Sequence, residues 1–356
     1  MPKKYINVLG VMSGTSLDGL DFCLVKFDLK NISNFKILKT HTYEYDKTWK
    51  NYLRNAVRFN DEEIKKLNIE FALLISKYVD QFIIDFSTPK IELISSHGHT
   101  IFHEPEKGLT LQIGDGNIIS QKTRTKVVYD FRSQDVNLGG QGAPLVPIGD
   151  LNLFKNYKFC LNLGGFANIS IKTKEDIQAF DICPVNTVLN HYSKKMDHEF
   201  DRNGFLSKSG QTDKILLNEL NNLNYYEKSG PKSLGIEFVN ELIFPLIEKK
   251  DLKPNDILMT FIDHISFQIN ESIKKYPLSK VLITGGGTFN KNLVETIKSK
   301  IKHEVVIPKK EIINFKEALI FAYLGILRIN DQINCLKSVT GAKKNHSSGK
   351  IIDYNS

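Results

Sequence analysis

The chain has 356 residues, of which 41% are apolar and 25% charged, and a formal net charge of +8. That length allows two domains with a core in each, and the composition is that of a globular protein rather than a disordered or membrane-spanning one. The positive charge does not indicate nucleic acid: only six of the 48 basic residues are arginine, the residue favoured for base and phosphate contacts, and lysines such as Lys65, Lys66, Lys194 and Lys195 lie scattered among acids.

Cys23, Cys160, Cys183 and Cys335 show no CxxC spacing and sit mostly in apolar runs, the pattern of buried thiols in a reducing compartment. The N-terminal MPKKYINVLG reads as neither a signal peptide nor an anchor, and no apolar run approaches a membrane span. A cytoplasmic, soluble protein is expected.

In chain order, YINVLG and LDFCLVKFD read as strands around the turn GVMSGTSLDG, residues 10–19. FNDEEIKKLNIEFALLISKYVDQFIIDF follows as a helix, with Asn60 or Asp61 as cap and Ile64, Leu67, Phe71, Leu74, Tyr78 and Phe82 at helical spacing. KIELISSHGHT is a strand entering a polar turn; GLTLQIGDGNIIS and TKVVYDFRS are strand-turn elements; LGGQGAPLVP is a connector. YKFCLNLGGFANISIK repeats the opening strand, glycine turn and strand, a weak internal repeat at a separation of roughly 150 residues, an ordinary domain length. Next come a long amphipathic helix with Pro254 near its start, the strand–GGG–helix KVLITGGGTFNKNLVETIKSK, and the apolar helix FKEALIFAYLGILRI. The polar tail from Asp331 is expected to be loosely ordered. The order implies two α/β domains with a cleft between them, a favoured ligand position.

Three glycine turns carry the chemistry. A glycine-rich turn aims successive backbone N–H groups at an anion, and Ser13, Gly14, Thr15 and Ser16 look like a phosphate cradle. Asp18 and Asp21 would repel a phosphate unless a cation such as Mg²⁺ lies between, directly or through water. A tight hairpin with polar trim is the alternative, but Gly164-Gly165 and Gly285-Gly286-Gly287 also follow apolar strands. No GxxxxGK[ST] and no GxGxxG after a strand is present, and YDFRS lacks the accompanying protein-kinase motifs. His97, His99 and His103 have no cysteine or acid at ligand spacing, so a polar contact in the cleft is expected there rather than zinc. Asp181, ending an apolar strand before Pro184 and Asn186, suits a general base, or else an Asx turn or helix cap. Arg132, between Asp130 and Asp135, reads as an anion clamp or a structural ion-pair partner. Glu317 reads as a cleft residue or as a helix-dipole acid.

Taken together, GVMSGTSLDGLD, SSHGHTIFHEP, LQIGD, DFRSQDVNLGGQGAPLVP, LNLGGFANIS, FDICPVN, PKSLGIEF, GGGTFN, EALIFAYLG and SVTGA resemble, in order, the motifs of the anhydro-N-acetylmuramic acid kinase family. The resemblance implies an actin/hexokinase-like (ribonuclease H-like) two-domain ATPase fold with an interdomain cleft. It implies domains at 1–150 and 151–356, the C-terminal helix being a candidate to cross back to the first. It further implies that 1,6-anhydro-N-acetylmuramic acid, ATP and water give N-acetylmuramic acid 6-phosphate and ADP, in recycling of peptidoglycan. By the same resemblance, ATP phosphates would meet Ser13, Gly14, Thr15, Ser16, Leu17, Asp18, Gly19, Leu20 and Asp21 together with Gly164 and Gly165. Gly285, Gly286 and Gly287 would lie by the adenosine, Asp181 would be the base, and His97, Arg132 and Glu317 would line the sugar site. Family members often form homodimers; no nucleic-acid or membrane partner is implied. The chain departs from the family pattern at Cys183, where glycine is common, and at His99, where glutamine is frequent. Another sugar kinase of this fold, or a nucleotide-binding regulator without turnover, are the competing readings, the second disfavoured by Asp18, Asp181 and Arg132 together.

Overall fold

The computed structural model describes residues 3–14, 16–173, 176–228, 230 and 232–354. The chain divides into two compact units, Met1–Leu153 with Phe315–Ser356, and Phe154–Asn314. The boundary expected at 150/151 thus falls at 153/154, and the second unit ends at Asn314 rather than at the C-terminus.

In the first unit, β1 (Tyr5–Ser13) and β2 (Gly19–Asp28) pair antiparallel with Ser13 opposite Leu20. They are followed by β3 (Asn31–Glu44), β4 (Leu93–Ser96), β5 (His99–Glu104), β6 (Leu109–Ile113) and β7 (Lys126–Tyr129). The second unit holds β8 (Phe159–Leu163), β9 (Phe166–Lys172), β10 (Ile177–Pro184), β11 (Lys280–Thr284) and β12 (Glu304–Val306). The C-terminal β13 (Lys350–Ile352) returns to the first sheet, antiparallel to β7.

The first sheet runs β13-β7-β4-β1-β2-β3 and the second β10-β9-β8-β11-β12. In both, a three-strand antiparallel meander is extended by two parallel strands beside its first strand. The weak repeat of the two glycine hairpins is therefore a repeat of a whole topology, that of the actin/hexokinase-like fold. Short sequence separation favours the hairpins, while each parallel strand needs a crossover.

Both sheets close over apolar cores. The helix Asp61–Phe86 starts at Asn60 in a capping box with Glu63 and buries Leu67, Phe71, Ile75, Val79 and Phe82. In the second unit, Pro254–Ile273 buries Ile257, Leu258, Phe261, Ile262, Ile265 and Ile269. The helix Lys310–Ile329 breaks its regular geometry at Phe315, where the second unit gives way to the first. Its remainder is apolar on most faces, and Ala318, Leu319, Ile320, Phe321, Ala322 and Leu324 are buried. It reaches the first sheet through small residues: a side chain on Gly10 would strike the Ala318 carbonyl, and one on Gly325 would strike Ser95.

Three expectations change. Helices Gly116–Thr123 and Ser133–Asn137 occupy stretches read as turns; the first is capped by Asp115 accepting from Asn117 N–H, and beside the second Asp130 accepts from the Ser133 hydroxyl. The tail from Asp331 is ordered: Cys335 and His346 form an antiparallel bridge, and β13 lies against β7. Its polarity misleads because Asn334, Thr340 and Ser348 are buried and spend their polar groups on neighbouring backbone and on Asp135.

Candidate active site

The chemistry-bearing residues gather in two groups, one in each unit. In the first, the loop between β1 and β2 closes with Leu17 N–H donating to the Gly14 carbonyl at 3.3 Å, and Leu17 takes φ 59°. Thr15 lies outside the described residues. At Gly14 a Cβ would meet nothing closer than Ser16 Oγ at 3.6 Å, so the loop backbone is open to a ligand. Ser16 and Asp18 are exposed. Leu20 is buried in the core, Leu17 packs against it, and Gly19 lies on the Tyr43 backbone, so these three can offer a ligand only main-chain groups. Ser13 is turned inward: its hydroxyl lies 2.6 Å from Tyr45 OH and 2.8 Å from His99 Nδ1. That bond accounts for His99, which burial keeps neutral by drawing its pKa down to about 4.

Asp21 accepts from the Thr42 hydroxyl at 2.6 Å. Burial first, then the negative charges of Glu317 and Asp18, push its carboxyl up to about 6, against the opposing Thr42 bond. Carboxylate oxygens are the ligand type that a hard cation such as Mg²⁺ takes.

His97 and Arg132 act as a pair. The Gly98 carbonyl, 3.0 Å from His97 Nδ1, can only accept, so Nδ1 carries the hydrogen and Nε2 accepts from Arg132 Nε at 3.0 Å. Burial and the guanidinium hold His97 well below its ordinary pKa. Both ring nitrogens are thus committed within the protein, and Arg132 Nη1 donates to the Gly142 carbonyl at 2.5 Å. Two of the five guanidinium donors are engaged among the described residues, leaving others for a ligand. Solvent reaches Glu317, yet protein surrounds it on most sides; that burial raises its carboxyl, against Lys316 and Arg132, which lower it. Next to it, Lys316 forms a buried ion pair with Asp150 at 2.7 Å.

In the second unit, the β8–β9 turn and the GGG turn are neighbours. Asn186 Nδ2 donates to the Leu163 and Gly164 carbonyls at 3.2 and 2.8 Å, and Val185 N–H donates to the Gly165 carbonyl at 2.8 Å. Gly285, at φ 86°, and Gly287 would each drive a Cβ into Leu163, whereas one on Gly286 would meet only Asn186 Nδ2 at 3.8 Å. Two of the three glycines therefore let the turns pack together, and Gly286 is left facing open space. Elsewhere in the second unit a concavity of about 540 Å³ is lined by His198, Phe200, Arg202, Phe205 and Leu206 among others.

Asp181 owes its orientation to a bulge. The register of β10 on β9 shifts between Asp181, opposite Asn168, and Cys183, opposite Ala167. At this bulge Ile182 and Cys183 are both buried, and Asp181 is left half-buried at the bend. Its Oδ2 accepts from Leu234 N–H at 2.9 Å, while Tyr225 OH donates to its carbonyl at 2.7 Å. Burial raises the carboxyl above the ordinary aspartate value, opposed by the Leu234 bond. Oδ1 has no hydrogen-bond partner among the described residues and is free to take a proton from water. The Cys183 side chain points into the core and its backbone avoids the left-handed region, so it does not narrow the approach to Asp181. Leu234 and Tyr225 were not singled out from the sequence; PKSLGIEF, which contains Leu234, was the available signal.

The family model for anhydro-N-acetylmuramic acid kinase matches residues 6–354. A relative of that name from Pseudomonas syringae is 33% identical over 96% of this chain and 98% of its own length. Another from Pelagibacter ubique is 30% identical over 98% and 99%, and one from Caldanaerobacter subterraneus is 33% identical over 97% and 96%. A solved structure of an activator of 2-hydroxyisocaproyl-CoA dehydratase from Clostridium difficile with bound ADPNP is 11% identical, covers 90% of this chain and 94% of its own, and has a TM-score of 0.46, too low to argue from.

Proposed function

The chain belongs to the anhydro-N-acetylmuramic acid kinase family, an ATP-dependent kinase of peptidoglycan recycling, and from that premise we propose how its residues divide the work. The reaction joins hydrolysis of the 1,6-anhydro bond to phosphorylation of O6. Asp181 Oδ1 takes a proton from water as the water oxygen bonds to the anomeric carbon. The carbon–O6 bond breaks, and O6 bonds to the γ-phosphorus as ADP departs. The bulge at Asp181 carries this assignment: one carboxylate oxygen is anchored, the other is unpartnered, and burial makes the group more basic than a solvated aspartate.

Arg132 meets the lactyl carboxylate of the sugar, held in plane by His97, which then acts on substrate through Arg132 rather than by contact. Glu317 lines the same site. The backbone from Ser13 to Asp21 and the Gly164-Gly165 turn take ATP phosphates, and the turn at Gly285, Gly286 and Gly287 takes the adenosine. Asp18 and Asp21 would hold Mg²⁺, which when bound neutralises phosphate charge. The need for ATP, together with four buried free thiols, supports a cytoplasmic location; no helix among the described residues is long and apolar enough to cross a membrane. A homodimer would appear at twice the 40.6 kDa chain mass in light scattering.

The deciding experiment measures Mg²⁺-dependent ADP release with 1,6-anhydro-N-acetylmuramic acid and, separately, with free N-acetylmuramic acid. Turnover with the anhydro sugar alone is expected. Equal turnover with the free sugar would reduce the enzyme to an ordinary sugar kinase and remove the need for a water-activating base.

A further inference from the structure

The ordered tail brings three side chains of different chemistry to one buried point. Asp135, at the end of the Arg132 segment, and Cys335 and His346, which bridge one another in the tail, have exposures of 0%, 2% and 6%. Asp135 Oδ1 lies 3.0 Å from Cys335 Sγ and 3.5 Å from His346 Nε2. Among the described residues, this is the one trio of His, Cys, Asp or Glu side chains whose ligand atoms all lie within 4.8 Å of one another.

The histidine is the telling member. Its Nδ1 lies 3.1 Å from the Lys344 carbonyl, which can only accept, so Nδ1 carries a hydrogen and in the neutral ring Nε2 presents a lone pair. Nε2 is buried without a hydrogen-bond partner and faces a carboxylate oxygen, a second acceptor. Two lone pairs opposed in a dry interior are unfavourable unless positive charge lies between them.

We propose that Asp135 Oδ1, Cys335 Sγ and His346 Nε2 bind a structural Zn²⁺ that clasps the C-terminal segment to the first unit. One carboxylate and one thiolate balance the charge of a divalent ion, and a sulfur–nitrogen–oxygen donor set selects zinc over magnesium or calcium. Tetrahedral zinc bonds place oxygen roughly 3.3 Å from nitrogen and roughly 3.5 Å from sulfur, so Sγ needs to retreat by only about half an ångström. The supporting shell is already built: Gly142 N–H donates to Asp135 Oδ2 at 2.7 Å, Thr340 donates to Oδ1 at 2.7 Å, and the Lys344 carbonyl orients the imidazole. Water fills the fourth position.

The test equilibrates the full chain with Zn²⁺, removes the excess, and measures zinc per chain by mass spectrometry of the metal. The metal-free chain is then titrated with Co²⁺. One zinc per chain is expected, with a thiolate-to-cobalt charge-transfer band and tetrahedral visible bands. Cys335→Ser should lose the charge-transfer band, and His346→Gln should bind at least about a hundredfold more weakly. A folded wild-type chain that retains no zinc and gives no thiolate–cobalt band overturns the proposal, leaving the trio a buried polar contact of the tail. Equal zinc uptake by wild type and both variants overturns it as well. The cobalt spectrum needs no substitution, so it decides even where a variant fails to fold.

Discussion

Asp181 and Asp21 are carboxylates of one residue type in two different situations. Asp181 is raised by burial and keeps one oxygen unpartnered; Asp21 is raised by burial and by acidic neighbours, which invites a cation. Replacing Asp181 by Asn leaves an amide oxygen that can still accept from Leu234 N–H but removes the carboxylate that takes the proton. Positioned general-base help is worth roughly 10²–10⁴-fold, so Asp181→Asn should lower kcat at least about a hundredfold with ATP binding intact. Near-normal turnover in that variant would refute the base assignment. FDICPVN singled the aspartate out, because a carboxylate ending an apolar strand suits a base. The bulge that turns it outward was not legible, because it depends on pairing with β9, a neighbour that local residues do not name. In the same way SSHGHT singled out His97, but its commitment to Arg132 came only with the distances.

At the scale of elements, the glycines separate by what surrounds them. Gly14 and Gly286 leave room for a ligand, whereas Gly10, Gly285 and Gly287 let one backbone approach another. Gly10 on β1 receives the helix Lys310–Ile329 at Ala318, and Ser95 on β4, directly opposite Gly10, donates to the Phe321 carbonyl at 2.5 Å. A methyl group there must displace helix backbone rather than a flexible side chain. Gly10→Ala should therefore destabilise the chain by about 1–3 kcal/mol, read from the denaturant midpoint. A midpoint unchanged from wild type would mean that the helix can shift on the sheet without penalty. The apolar helix and both hairpins were visible in periodicity and turn composition. The short helices at 116–123 and 133–137 were not, since their length is too small to show a period.

For the whole molecule, buried neutral histidines set the acid response. In the second unit His264 lies between Tyr226 OH and Asn221 Oδ1, at 2.9 and 2.7 Å, and burial draws its pKa down to about 3; His99 in the first unit is drawn down to about 4. Because the unfolded chain binds these protons near pH 6.5 and the folded chain does not, their stabilisation is complete above pH 6.5 and is lost as pH falls toward the folded values. Each should cost about 1.4 kcal/mol per pH unit over that window. Unfolding free energies at pH 7 and pH 5 should differ accordingly, and His264→Gln should shallow the slope by about one proton. A slope unchanged by that substitution would show that His264 is not buried neutral in the folded state.

The residues alone determined the class of the protein. Ordered glycine turns, a few singled-out carboxylates and one arginine beside a glycine-proline connector are local features, and local chemistry survives in a linear string. They carried the family and the kinase activity. The tertiary structure decided what each of those residues is free to do. It matched the two strand orders, returned the last helix and the polar tail to the first unit, turned Ser13 inward onto His99, and brought Asp135, Cys335 and His346 together. Each of these depends on contacts between residues tens to hundreds of positions apart, whose pairing is set by mutual burial and hydrogen-bond satisfaction rather than by neighbours in the chain.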